Sequence, residues 1–304
     1  MLFTMIKLVV ISGVGLGAIA LTGLWYFQRD IIYPAKFPQN SRTEVDLPST
    51  YGMDKFEQLR ILTADNINLH AYLIMPSGPA SSGRRLDGQD SPSPKTTLLY
   101  LHANAGNMGH RLPIAASLMS VLNCNILMLS YRGYGLSEGS PSEPGIQKDL
   151  DATMDFLQTN PVTKGTKIVL YAQSIGGAVA IDTAQRYEKR ISGMILENTF
   201  TSLPDVVSNI FPPIISLFVK PFLMDTWDSK SRIARISSIP ILFLSGLKDT
   251  LVPPSHMSAL NKIAKTFDKR PVDFVGFENG NHNDTCSQPK YFTVIQTWWN
   301  RNSF

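Results

Sequence analysis

The stretch Lys167–Tyr187, KIVLYAQSIGGAVAIDTAQRY, decides the fold. Ile168 to Ala172 is a run of five apolar or β-branched positions that reads as a short buried strand. From Gly177 onward the spacing turns helical, with Ala180, Ile181 and Ala184 on one stripe. Ser174 falls at the junction, with Ala172 two residues before it and Gly176 two residues after. A sharp strand-to-helix turn there lifts one hydroxyl clear of the sheet. Small flanking residues let strand and helix pack past that turn. The new helix also aims backbone N–H groups at any negative charge forming beside the serine. This is the pattern of a nucleophile elbow, with alanine in place of its first glycine. The same letters fit a plain strand–turn–helix in which Ser174 is only an N-cap, so the rest of the chain has to decide.

Working outward, strands and helices alternate from Thr96 on. TTLLYLHA, NILMLSY, ISGMILE, IPILFLSG and PVDFVGF read as strands. HRLPIAASLMSVL, Gly145 to Gln158 and Gln288 to Asn300 read as helices. Near-continuous apolar strands between helices predict an α/β fold, a mostly parallel sheet with helices on both faces. Phe56–Leu62 and Ile67–Met75, joined by the turn residues ADN, predict a further strand pair. Ligands of such sheets bind beyond the carboxyl ends of the strands, so the loops there hold the candidates. HANAGN, His102 to Asn107, is small and suited to presenting a backbone N–H. LKDTLVPP places Asp249 just past one strand, and ENGNHND places His282 just past the last. Ser174, Asp249 and His282 follow the order of nucleophile, acid and base in α/β-hydrolase sites. His256 competes for the role of base, but it is close in sequence to Asp249 and sits near a helix start. His70, inside a strand, and His110, opening a helix, read as structural.

Between the ILENTF and IPILF strands, Thr201 to Arg235 carries NIFPPIISLFVKPFLMD, broken by Pro212, Pro213 and Pro221. An insertion here is expected to form a short cap. It either packs on the core, or forms an acyl pocket or membrane-contacting lid with Phe211, Ile215, Phe218 and Phe222 as the candidate substrate-binding residues. It is too short and broken to cross a bilayer.

The chain has 304 residues, 17% of them charged, and a net charge of +4. No run of Lys or Arg exceeds two residues, which speaks against nucleic-acid binding. Cys124 and Cys286 make neither a metal-ligand spacing nor a disulfide framework, and Cys124 reads as a small buried residue. Leu8 to Phe27 is an uncharged run of about 20 residues. At ~1.5 Å per residue it spans about 30 Å, the thickness of a bilayer core. It ends in Trp25, Tyr26 and Phe27 rather than in a small-residue cleavage site, so an uncleaved anchor is favoured over a signal peptide. The expected layout is an N-terminal transmembrane anchor at 1–30, a linker at 31–55 and a catalytic domain at 56–304, with the cap at about 201–235. Pro76 to Lys95, rich in Ser, Gly and Pro, reads as a surface insertion. Lys7 alone precedes the apolar run, whereas Arg29, Lys36 and Arg42 follow it, which leans to a cytosolic catalytic domain. The sequon Asn283–Asp284–Thr285 leans the same way, because a glycan beside His282 would crowd the site.

Taken together, HANAGN, SYRGYGLSEGSPSE, YAQSIGGAVA, ILENTFTS, FLSGLKDTLVPP and GNHND resemble the membrane-anchored α/β-hydrolases of the α/β-hydrolase-domain-13 type, which include fungal bud-emergence-related proteins. The resemblance implies Ser174 as nucleophile, Asp249 as acid and His282 as base. It also implies oxyanion donors at the backbone N–H groups of Asn104 and Ile175. No cofactor is expected. The substrate implied is an acyl ester or thioester, on a lipid or an acylated protein, and the expected location is the endoplasmic reticulum or another endomembrane. Ala103 and Ala172 stand where glycine is usual. The alternative is a membrane-tethered interaction protein that keeps the fold without the activity.

Overall fold

In a computed structural model, which describes residues 22–76, 94–266 and 270–304, the apolar runs assemble into one eight-stranded sheet. The strands are β1 (Phe56–Leu62), β2 (Asn68–Ile74), β3 (Thr96–Leu101), β4 (Asn125–Leu129), β5 (Lys167–Gln173), β6 (Ile191–Glu197), β7 (Ile241–Gly246) and β8 (Val272–Phe277). Their order in space is β1-β2-β4-β3-β5-β6-β7-β8. β1 pairs antiparallel with β2, and β2 antiparallel with β4. Every other neighbouring pair is parallel. The helices are α1 (22–32), α2 (Leu112–Leu122), α3 (Glu143–Thr159), α4 (Ile175–Arg186), α5 (Leu203–Ile210), α6 (Pro213–Val219), α7 (Ser229–Ile233), α8 (Pro254–Ala264) and α9 (Tyr291–Arg301).

Every residue of β3 and β4 is buried, which is why these strands read as unbroken apolar runs. Successive side chains still alternate between two cores. Leu99, Leu101, Leu127 and Leu129 join residues of α3, α4 and α8 on one face. Leu98, Tyr100, Ile126 and Met128 join residues of α2 and α9 on the other. Each such fully buried side chain contributes roughly 1.5–3 kcal/mol. β1 closes one edge and exposes Glu57, Gln58 and Arg60, charged and polar groups that discourage pairing with a further strand. Cys124 is fully buried, and both cysteines are free.

Residues 33–46, placed in the expected linker, are seated on the domain. Gly106 donates to the Phe37 carbonyl, and the Asn107 amide donates to the carbonyls of Ser41 and Glu44. This segment therefore braces the loop that follows β3. Of the expected anchor at 1–30, residues 1–21 lie outside the described residues, and 22–30 fall in α1. Among the described residues no helix is long and apolar enough to cross a membrane. The expected surface insertion lies almost wholly outside them as well.

α1 is held to the segment after α6 by a buried polar set. The Gln28 amide donates to the Phe222 carbonyl and accepts from the Met224 N–H. Tyr33 donates to Asp225 and accepts from the Trp227 indole, both at 2.8 Å. α5 and α6 themselves stand out from the core. α5 buries none of its side chains, and α6 buries only Ser216 and Val219.

Candidate active site

β5 ends at Gln173 and α4 begins at Ile175, so the chain reverses on Ser174 alone. Ser174 has φ 55° and ψ −122°, a conformation that favours glycine. Packing holds it there. A Cβ on Gly176 would lie 2.2 Å from the Leu101 carbonyl oxygen of β3, so only glycine lets α4 approach the sheet this closely. The Ser174 N–H donates to the Glu197 carbonyl, and Thr199 donates its hydroxyl to the Ser174 carbonyl.

Asp249 and His282 come from the turns after β7 and β8, and backbone hydrogen bonds stitch those turns together. Lys248 donates to the Gly280 carbonyl and Leu247 to the Phe277 carbonyl. A Cβ on Gly246 would meet the Thr285 hydroxyl at 2.3 Å, so glycine is needed for the loops to close. His282 Nε2 lies 2.9 Å from Ser174 Oγ, and its Nδ1 lies 2.7 Å from Asp249 Oδ2. The other Asp249 oxygen accepts from the N–H groups of Leu251 and Val252 at 2.9 and 2.8 Å. The carboxylate is thus held by three donors in an almost fully buried place.

Ile175 is the first residue of α4, so its N–H lacks an intrahelical acceptor. Asn104 lies in the loop after β3, and its N–H donates to no backbone carbonyl among the described residues. Its side-chain oxygen accepts from Tyr134. His256 is elsewhere. Its Nδ1 pairs with Thr201 Oγ1 at 2.8 Å and its Nε2 with Asn209 at 2.5 Å, and it touches neither Ser174 nor Asp249. Burial pushes its pKa down. His70 is buried in β2, and the His110 ring accepts from the Asn107 N–H in a cap, so both are structural. Phe211, Ile215, Phe218 and Phe222 are all more than a third exposed, on the outer side of the chain after β6. Among the described residues no three His, Cys, Asp or Glu side chains group as a metal site.

Residues 92–229 match a family model described as serine aminopeptidase, S33. Protein bem46 of Schizosaccharomyces pombe is 42% identical over 294 residues, covering 97% of this chain and 93% of that one. An uncharacterized membrane protein of Saccharomyces cerevisiae is 35% identical and covers 97% of both. The α/β hydrolase domain-containing protein WAV2 of Arabidopsis thaliana is 35% identical, covering 95% of this chain and 91% of that one. The chain is a bem46-type α/β-hydrolase-domain protein. In line with that, the Pyrococcus furiosus esterase Pf2001 superposes with a TM-score of 0.68 at 19% identity, covering 86% of this chain and 96% of that one. That likeness bears on the fold alone.

In this α/β-hydrolase domain the site has supports that motif reading missed. Asn198, just past β6, donates its amide to the carbonyls of Asn281 and His282 and to the Thr285 hydroxyl. It also accepts from the Gly246 N–H, so one side chain ties the ends of β6 and β7 to the histidine loop. The only signal in the sequence was its place inside ILENTFTS. Thr285, the third residue of the sequon, is fully buried with its hydroxyl engaged, while the acceptor Asn283 is exposed beside His282. Glu197 is buried beneath the site, and Tyr171, Tyr291 and Gln173 all donate to it. Burial pushes its carboxyl up, against the pull of those three hydrogen bonds.

His102, at the start of HANAGN, is also fully buried. It packs on Tyr131 with ring centroids 4.3 Å apart, and its Nδ1 lies 2.7 Å from the Ala103 carbonyl. Its Nε2 has no partner among the described residues. Burial pushes its pKa down from 6.5 to about 3. Between those values the unfolded chain binds more protons than the folded one. His102 therefore costs nothing above the unfolded pKa, and stability is lost as pH falls from 6.5 toward 3. Denaturant midpoints measured from about pH 7 to about pH 4.5 are expected to fall, and to fall less steeply in His102→Gln. Equal slopes would contradict this assignment.

Proposed function

We propose that the chain is a membrane-anchored serine hydrolase that cleaves an acyl ester or thioester through Ser174, His282 and Asp249. One observation carries this: the unbroken relay from Ser174 Oγ through both nitrogens of His282 to Asp249, whose far oxygen is fixed by two N–H groups. Ser174 Oγ attacks the acyl carbon as its proton passes to His282 Nε2. Asp249 holds the ring in the productive tautomer and stabilises the imidazolium. The N–H groups of Asn104 and Ile175 receive the oxyanion. The leaving group takes the proton from His282, and water repeats the sequence to release the acid and restore Ser174. A fluorophosphonate probe tests this. It is expected to attach to one residue, Ser174, and Ser174→Ala is expected to remain unlabelled. A folded wild-type chain that takes no label would favour the tethered interaction protein instead.

The layout supported is an anchor at 1–30, a segment at 31–55 that braces the HANAGN loop, and a catalytic domain at 56–304 with its cap at about 201–235. The uncharged run Leu8–Phe27 and the membrane relative support the anchor. One basic residue before the run and Arg29, Lys36 and Arg42 after it favour a cytosolic catalytic domain, as does the sequon at the exposed Asn283, where a glycan would crowd His282. In intact vesicles exposing their cytosolic face, an epitope placed after Phe304 is expected to be digested by added protease. Protection until detergent is added would reverse the orientation.

A further inference from the structure

Seventeen large apolar side chains are exposed among the described residues, and twelve of them fall within residues 25–31 and 210–224. These two segments are α1 and the chain around α6, far apart in sequence and joined by the Gln28 hydrogen bonds to Phe222 and Met224. Gln28 is only 3% exposed, so the join is internal while the apolar side chains beside it face outward. From Val206 to Val219 no residue is charged. Soluble monomers rarely gather this much outward apolar surface in one place without something to cover it.

We infer that α1 and α6 form one face seated in the surface of the lipid bilayer. The occupant follows from where the described chain begins. The uncharged run Leu8–Phe27, of bilayer-spanning length, leads into α1, and its last residue is the one before Gln28. The point where the run ends is therefore tied by one side chain to the end of α6. Trp25 and Tyr26 are exposed at that point, and such rings settle at the level of lipid headgroups. α6 has seven residues, too few to cross, so it lies along the interface with Leu217 and Phe218 turned outward. A second copy or a soluble partner would cover the same side chains. Neither accounts for their continuity with a run of that length.

The seat has a consequence for substrate class, and it rests on the hydrolase and anchor just proposed. The chain passes from β6 to α5 through Asn198 to Ser202, where Asn198 holds the His282 loop and Thr199 holds Ser174. That segment holds the site at one end and leads through α5 to α6 at the other. With the domain seated on the bilayer, a membrane lipid or lipidated chain is the fitting substrate class, because such acyl groups are held at the surface where the domain sits.

Full-length protein in phosphatidylcholine vesicles tests the seat. Cys286→Ser removes the accessible cysteine, Cys124 being fully buried. A single cysteine is then placed at Leu217, at Ala18 or at Lys164, an exposed residue before β5, and labelled with an environment-sensitive fluorophore. Nitroxide lipids are expected to quench the labels at Leu217→Cys and Ala18→Cys and to leave Lys164→Cys bright. If Ala18→Cys is quenched while Leu217→Cys is quenched only by aqueous iodide, the face meets water and the inference falls with the anchor intact. If neither quencher reaches Leu217→Cys, protein covers the face and the inference is likewise overturned. A bright Ala18→Cys in lipid removes the anchor itself, and the seat with it.

Discussion

Replacing Ser174 with alanine is expected to lower turnover by about 10⁶-fold, the scale lost when a serine nucleophile that works as a unit with its base is removed. The hydroxyl is the only group at this position that can bond to the acyl carbon, and among the described residues Ser174 Oγ is the side-chain partner of His282 Nε2. The alanine keeps the Cβ of serine and hence the backbone strain at φ 55°, so folding should be nearly unchanged. A circular dichroism spectrum and melting curve like those of the wild type would confirm that the loss is chemical. Residual turnover within a hundredfold of wild type, on any ester or thioester the protein cleaves, would remove Ser174 from the mechanism.

The second large effect separates the two histidines. His282→Ala should lose turnover on the scale of about 10⁴-fold or more, because proton transfer and its orientation by Asp249 go together. His256→Ala should keep turnover within about tenfold, since that ring bonds only Thr201 and Asn209. It will cost stability instead. Thr201 and Asn209 lose their partner, a loss of about 1–3 kcal/mol for buried polar groups. Assays should therefore be run well below the melting temperature of the variant. The opposite ranking would mean that the relay seen between Ser174, His282 and Asp249 is not the working one.

Much of this architecture could be read from the chain, and the reason is local. A strand buried on both faces must be apolar throughout, so β3 to β7 announce themselves, and the residue just beyond each strand end is then known within a position or two. That is how Ser174, Asp249 and His282 were reachable from spacing. Strand order was not reachable, because β2 pairs with β4 rather than β3 through contacts that leave no period in the sequence. Nor was the role of Asn198, whose amide spans more than 80 residues to the histidine loop and looks in isolation like any turn residue. The cap shows a third limit. Phe211, Ile215, Phe218 and Phe222 have the composition of a pocket lining, yet composition cannot say which way a side chain faces, and here they face out.

The backbone at Ser174 stores strain at the reacting position. A φ of 55° with ψ of −122° is the glycine-dominated corner of a type II′ turn, and holding a side chain there costs of order 1–3 kcal/mol. Glycine at 174 would relieve that strain, offset in part by about 0.5–1 kcal/mol of extra chain entropy lost on folding. On the proposed hydrolase reading the strain has a use, because the strained corner is what presents Ser174 Oγ to His282.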